Sequence, residues 1–264
     1  MLGLGRDRAE RIPVDNQGRM IADEIPKVEG PTIVCTQAGN VNTGAFDPIS
    51  KICAAVRPAG AWVHVDGAFG LWAAAAADYR HLAAGIEDAD SWATDAHKWL
   101  NVPYDSGVAF VRDGAALKAA MSITAEYLTT ESEFRNPSDF TPEFSRRARG
   151  VDVWAALRSL GRQGVDDLVA RCCGLAQRFA DGFRKACFEI LNDVVLNQVL
   201  ISFGDDVTTR RIIDEIQREG TCWCGVTVWQ QKTAMRISVC NWSTTEADVD
   251  RSLEAMLKIA QMSH

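Results

Sequence analysis

Four short apolar runs constrain this chain more than any other feature. Thr32-Ile33-Val34-Cys35-Thr36, Ala61-Trp62-Val63-His64-Val65-Asp66, Ser91-Trp92-Ala93-Thr94 and Gly107-Val108-Ala109-Phe110-Val111 read as strands, rich in β-branched and aromatic residues. Helix-like stretches separate them. Residues 48–56 are predicted to form a helix, with Asp47 as its N-cap and Pro48 in its first turn. Pro58-Ala59-Gly60 then breaks it. Strands alternating with helices predict an α/β fold: a mainly parallel sheet with helices on both faces.

The texture changes past the fourth run. Residues 126–142 are polar, carry Pro137 and Pro142 and show no period, so a long functional loop, the least ordered internal segment, is expected there. A helix is expected over 151–160, interrupted by Gly161 and Gly164, and a second over 165–187, with Leu168, Cys172, Leu175, Phe179 and Phe183 on one face. Residues 194–203 and 235–239 read as strands. Thr245-Glu246 opens a last amphipathic helix with Val249, Leu253, Met256, Leu257 and Ala260 on its apolar face. The expected division is a first domain over 1–150 and a small α+β domain over 151–264.

Composition removes several classes of function. Lys+Arg number 28 against 35 Asp+Glu, a net charge of −7, which argues against a phosphate-binding surface and thus against a nucleic-acid partner. No run of apolar residues approaches membrane-spanning length, and the first residues lack the layout of a signal peptide, so no membrane partner is expected. The eight cysteines show no disulfide framework and read as reduced thiols of a cytoplasmic protein. Cys222-Trp223-Cys224 lacks two further ligands at recognisable spacing, so no metal site is expected.

The chemistry concentrates between residues 61 and 100. Alternation along the second run puts Trp62, His64 and Asp66 on one face, with Asp66 at the strand's carboxyl end, where open α/β sheets bind ligands. Asp66 reads either as the cap of a following helix or as a carboxylate that meets a positive group. Lys98 follows the third run, beside His97 and Trp99. It reads either as a snorkelling lysine or as a desolvated amine suited to Schiff-base chemistry. An aspartate at the end of one strand and a lysine at the end of another are what a pyridoxal phosphate site needs.

Three motifs resemble the group II pyridoxal phosphate-dependent amino acid decarboxylases: His64-Val65-Asp66-Gly67-Ala68, Asp95-Ala96-His97-Lys98-Trp99 and the stretch 39–48, Gly39 to Pro48. The likeness continues through 141–150, 153–160 and 235–242. It implies the aspartate aminotransferase type of fold, with a partial cofactor-binding large domain over 1–150 and a small C-terminal domain. It also implies decarboxylation of an L-amino acid in a homodimer. Residue by residue, the resemblance implies that Lys98 forms the Schiff base and Asp66 pairs with the pyridinium nitrogen. Ala68 packs against the ring, His97 lies near the phosphate, and Thr43 approaches the ring. Arg236 stands where fold relatives often hold the substrate carboxylate, or is a surface strand arginine. A carboxylate at Asp95 is unexpected near a phosphate.

Two departures stand out. The family carries a long segment ahead of its counterpart of strand 32–36, including a phosphate-cradling turn, so the chain reads as a C-terminal portion of such an enzyme. The loop that in many relatives carries a proton-donating tyrosine here holds, after Tyr127, only Phe134 and Phe140. Aminotransferase or aldehyde synthase chemistry, or a catalytically incompetent fragment, are the alternatives.

Overall fold

The four apolar runs pair into one sheet. The computed structural model describes residues 5, 7–123 and 134–262. β1 (Ile33–Gln37), β2 (Trp62–Asp66), β3 (Ser91–Asp95) and β4 (Gly107–Val111) lie in that order. β1, β2 and β3 run parallel and β4 closes the edge antiparallel. The register sets Cys35, His64 and Ser91 side by side, then Gln37, Asp66 and Ala93. Strand alternation sends all six to one face.

The two faces differ. Val34, Val63 and Val65 are buried with Ile49, Ile52, Cys53 and Val56 of α1 (Ile49–Val56) in a single core. On the opposite face Cys35 and Asp66 are exposed, and Ile33 is 59% exposed. The expectation of helices on both faces is therefore corrected: among the described residues only one face is covered.

Asp47 is also corrected. It caps nothing: α1 begins at Ile49 without a side-chain cap. Its carboxylate instead accepts two backbone N–H groups, Met20 N at 2.7 Å and Gln37 N at 2.7 Å. A buried carboxylate must find donors, and these two lie on the N-terminal turn and on β1. Burial nonetheless pushes its pKa up, outweighing the two bonds.

The second half builds an antiparallel sheet from β5 (Glu189–Ile190), β6 (Gln198–Ser202), β7 (Gly225–Trp229) and β8 (Lys232–Ser238), ordered β5-β6-β8-β7. α3 (Arg149–Lys185) lies across it. The helix breaks only at Gly161, with φ 62° and ψ −174°; Gly164 stays helical, contrary to expectation. α5 (Glu246–Met262) buries Val249, Met256 and Ala260 as its periodicity predicts. α4 (Asp206–Glu219) was not expected. Asp205 caps it by accepting from Val207 N and Thr208 N, and Ile212, Ile213 and Ile216 are buried. Both sheets contribute to one core, in which Val65, Phe183, Ile201 and Met256 are all buried.

Of the expected loop 126–142, residues 126–133, Tyr127 among them, lie outside the described residues. Pro137–Phe140 form a turn of 3₁₀ helix capped by Asn136, and Asp139 meets Lys118 at 3.0 Å. Arg135 stacks over the Phe140 ring at 4.2 Å. No helix among the described residues is long and apolar enough to cross a membrane.

All eight cysteines are free. Cys35 and Cys187 are exposed, while burial pushes the Cys173 and Cys224 thiols up to about 12. Only the thiolate attacks a disulfide reagent, and at pH 8 such a thiol is ionised in roughly one molecule in ten thousand. Cys35 and Cys187 are expected to react with an aromatic disulfide within minutes, and Cys173 and Cys224 only on unfolding. Peptide-resolved alkylation kinetics check this; rapid labelling of Cys173 in the folded protein is the contrary result.

Candidate active site

β2 and β3 are parallel neighbours, so both carboxyl ends reach the same edge of the sheet. Asp66 ends β2, and its Oδ1 accepts from Ala68 N at 3.0 Å, closing a turn two residues on rather than capping a helix. Ala68 O in turn accepts from Asp95 N at 2.8 Å, pinning the end of β3 to the turn after β2. Asp95 Oδ2 lies 2.8 Å from Lys98 Nζ. Three successive contacts thus link Asp66 to Lys98 along one edge, and Asp66 shares its face of the sheet with Ala93 and Asp95.

Lys98 is not the desolvated amine that one sequence reading suggests. Its side chain is 45% exposed and its ammonium is ion-paired. The turn that displays it is built from below. Trp99 is 1% exposed and packs near Phe69, ring centroids 6.4 Å apart. Asn101 Nδ2 donates to Cys240 O at 2.8 Å, tying the turn to the end of β8. An anchored tryptophan beside a solvated amine fixes where the amine starts without removing it from water.

His97 sits beside it. Its Nδ1 lies 3.0 Å from Ser106 N and 2.9 Å from Ser106 O, its Nε2 lies 3.8 Å from Asp95 Oδ2, and the Tyr104 ring meets it edge-on at 4.5 Å. Asp95 therefore faces two basic groups. Sequence reasoning left its role open, although the three-residue spacing to Lys98 was the available signal. The Ser106 hydroxyl, on the same turn, is buried and has no hydrogen-bond partner among the described residues.

One expected residue is placed differently. Thr43 is fully buried; its hydroxyl donates to Gln17 O at 2.6 Å and accepts from Ala45 N at 3.2 Å. Thr43 is a structural clamp between the N-terminal turn and the loop after β1, and its hydroxyl is not offered to a ligand. Arg236 lies on β8, and its Nη1 donates to Val41 O at 3.2 Å. That bond brings a guanidinium of the second sheet to the loop that leaves the carboxyl end of β1.

An amine, a carboxylate and an imidazole on one strand edge form a known constellation, and comparison decides whose it is. Residues 6–204 match the pyridoxal-dependent decarboxylase conserved domain. The chain belongs to the pyridoxal-dependent decarboxylase family. It is 29% identical over 195 residues to an L-tyrosine/L-DOPA decarboxylase of Lophophora williamsii, covering 72% of this chain and 37% of that protein. It is 31% identical over 197 residues to an acidic amino acid decarboxylase of Mus musculus, covering 70% and 36%. Among solved structures, Oryza sativa TDC with PLP and tryptamine superposes with a TM-score of 0.83 at 25% identity, covering 88% of this chain and 51% of that one. Mouse CSAD shares the fold with a TM-score of 0.88, covering 98% and 60%. The chain thus spans about a third of the length of the tyrosine decarboxylases it matches.

Pyridoxal phosphate is the cofactor of this family, and the residues at the edge fit two of its three functional parts. A solvent-reached primary amine suits an aldehyde and a solvent-reached carboxylate suits a protonated ring nitrogen. For the phosphate, His97 is the basic group that stands with Lys98 beside Asp95, its Nε2 3.8 Å from Asp95 Oδ2.

Proposed function

We propose that this edge is the cofactor-binding and reaction edge of a pyridoxal phosphate-dependent L-amino acid decarboxylase. The observation that carries the reading is the bonded chain from Asp66 through Ala68 and Asp95 to Lys98. It holds a carboxylate and a primary amine at the ends of adjacent parallel strands.

Each residue then has a task that its surroundings allow. Lys98, on a turn anchored by Trp99 and Asn101, supplies the amine that takes the aldehyde. Asp95 holds the Lys98 ammonium in place until it is needed. Asp66, with Oδ1 fixed by the Ala68 N–H, keeps a proton on the ring nitrogen. Ala68 offers a methyl group for contact with the ring, small enough to leave the edge open. His97 stands toward the phosphate. Arg236, with one nitrogen on Val41 O, has donors left for a substrate carboxylate. When bound, the cofactor supplies an acceptor for the electron pair left behind as carbon dioxide departs.

The substrate class is an L-amino acid with an aromatic or acidic side chain, supported by relatives of both kinds. A homodimer is part of the same reading, in line with the open face of the first sheet. Eight free thiols support a cytoplasmic setting.

The test is reductive trapping. Purified protein is mixed with pyridoxal phosphate, reduced with borohydride and digested, and the label is mapped by mass. Lys98 is expected to carry it ahead of the exposed Lys27, 86% solvent-accessible. Equal labelling of the two lysines would remove the assignment. Asp66→Asn, which replaces a charged hydrogen-bond acceptor with a neutral one, is expected to weaken binding about 10- to 100-fold, read by absorbance titration.

A further inference from the structure

A cavity of about 400 Å³ opens at the break in α3, and none of its lining residues has a task at the reaction edge. Leu157 of the earlier arm and Val165 of the later arm line it on either side of Gly161. A Cβ added at Gly161 would meet nothing within 4 Å, so the break itself leaves open space. The rest of the lining comes largely from two turns of 3₁₀ helix, Gly70–Ala75 and Arg80–Ala83, which contribute Trp72 and Arg80. These walls are fastened to each other. Ala77 N donates to Asp166 Oδ1 at 2.9 Å, and Trp72 packs against the apolar cluster that contains Val165. Trp72 Nε1 donates to Asp95 O at 3.4 Å, which holds the indole in place.

The charge of the lining is one-sided. Two guanidiniums, Arg80 and Arg162, line the cavity and no carboxylate does. Neither has a hydrogen-bond or ion-pair partner among the described residues. Elsewhere in this acidic chain arginines are engaged: Arg149 with Asp105, Arg178 with Asp250, and Arg171 with Trp242 O and Thr244 O. A free guanidinium keeps five N–H donors in a planar fork that matches a carboxylate.

The size and the remaining walls say what accompanies the charge. Small-molecule sites are concave, run from about 300 to 1,000 Å³ and combine apolar walls with a few polar groups. Trp72, Leu157 and Val165 are such walls. A bare inorganic anion would satisfy the guanidiniums and leave the indole and the aliphatic side chains wet. A carboxylate carried on an apolar body uses both. We propose that this cavity is a binding site for a small carboxylate with an aromatic or similarly apolar body. Arg80 and Arg162 hold its charged end, and Trp72, Leu157 and Val165 flank its body. The site requires neither the cofactor nor the proposed reaction.

Phenylacetate is the probe. It carries the carboxylate and a ring, and it has no amino group with which to act as a substrate at Lys98. Binding is followed by NMR of the indole N–H groups, with Trp72→Phe assigning the Trp72 signal among the eight tryptophans. The Trp72 signal is expected to shift and saturate. Arg80→Gln and Arg162→Gln are each expected to weaken binding about 10-fold, whereas Arg236→Gln leaves it unchanged. Ala75→Leu, which adds bulk to the lining without touching its charge, is expected to weaken binding by a similar factor. Arg80, Arg162 and Ala75 are all exposed, so these variants are expected to keep the wild-type thermal midpoint. Phenylethanol, which lacks the charge, and inorganic phosphate, which lacks the body, are each expected to bind at least about 10-fold more weakly than phenylacetate. A Trp72 signal that does not saturate, or binding indifferent to both arginine variants, would overturn the proposal. So would phosphate or phenylethanol binding as tightly as phenylacetate.

Discussion

Lys98→Ala is expected to abolish the borohydride-trapped label and to lower carbon dioxide release from an aromatic or acidic L-amino acid by on the order of 10³-fold or more. The size follows from the role. No other amine stands on this strand edge: among the described residues Lys98 is the lysine bonded to Asp95, whereas Lys118 pairs with Asp139 on α2 (Gly114–Met121). A substitution at Asp95 has a different signature. Asp95→Asn removes the partner of the ammonium but leaves the amine, so trapping at Lys98 persists. Activity and trapping retained in Lys98→Ala would defeat the assignment of the amine, whatever the fate of Asp95.

The second large effect is on stability. Asp47→Ala strips the acceptor from two buried N–H groups, Met20 and Gln37, each 2.7 Å from the carboxylate. At about 1–3 kcal/mol for each orphaned donor, a loss of about 2–6 kcal/mol is expected, read as a fall in the urea midpoint with an unchanged slope. Asp47 is 5% exposed and its pKa is raised. The folded state therefore binds this proton more tightly than the unfolded chain. The corresponding stabilisation is complete below the unfolded-state pKa and is lost as pH rises through the higher folded-state value. Asp47→Asn is expected to flatten that part of the stability profile. A midpoint for Asp47→Ala within experimental error of wild type would show that the N-terminal turn is held by other contacts.

What was legible in the sequence follows from the range of the interactions concerned. The strands of the first sheet were readable because each is a short apolar run with turn residues at its ends, a local pattern. The placement of Asp66 and Lys98 at one edge was readable because strand ends in a parallel sheet share an edge. α4 was missed although its signals are present: Asp205 as a cap, Ile212, Ile213 and Ile216 at helical spacing, and Gly220 past the end. Asp47 and Thr43 could not be read locally. Each looks like a turn residue in its own segment, and each is claimed by the N-terminal turn, 26 or 27 residues away. The pairing of Asp95 with Lys98 was within reach, since three residues in a turn bring side chains together. The open face was the least accessible, because alternation says which residues share a face but not whether anything covers it.

The break at Gly161 has a mechanical meaning. With φ 62° and ψ −174°, this residue holds a backbone geometry that a side chain resists, and it divides α3 into two arms. The later arm is buried from Val165 to Phe183. The earlier arm presents Val151 and Trp154 to solvent, 61% and 64% exposed. Arg149, at its start, grips Asp105 with Nε at 3.0 Å and Nη2 at 3.3 Å. Asp105 lies on the segment that runs on from Lys98. The short arm is thus a lever with its fulcrum at a glycine and its far end hooked to the lysine turn. The buried side of that arm packs on the same turn, with Val153, Ala156 and Leu160 against Ala96, Leu100 and Val102, so arm and lysine turn are fastened to one another at two places on one side of the joint.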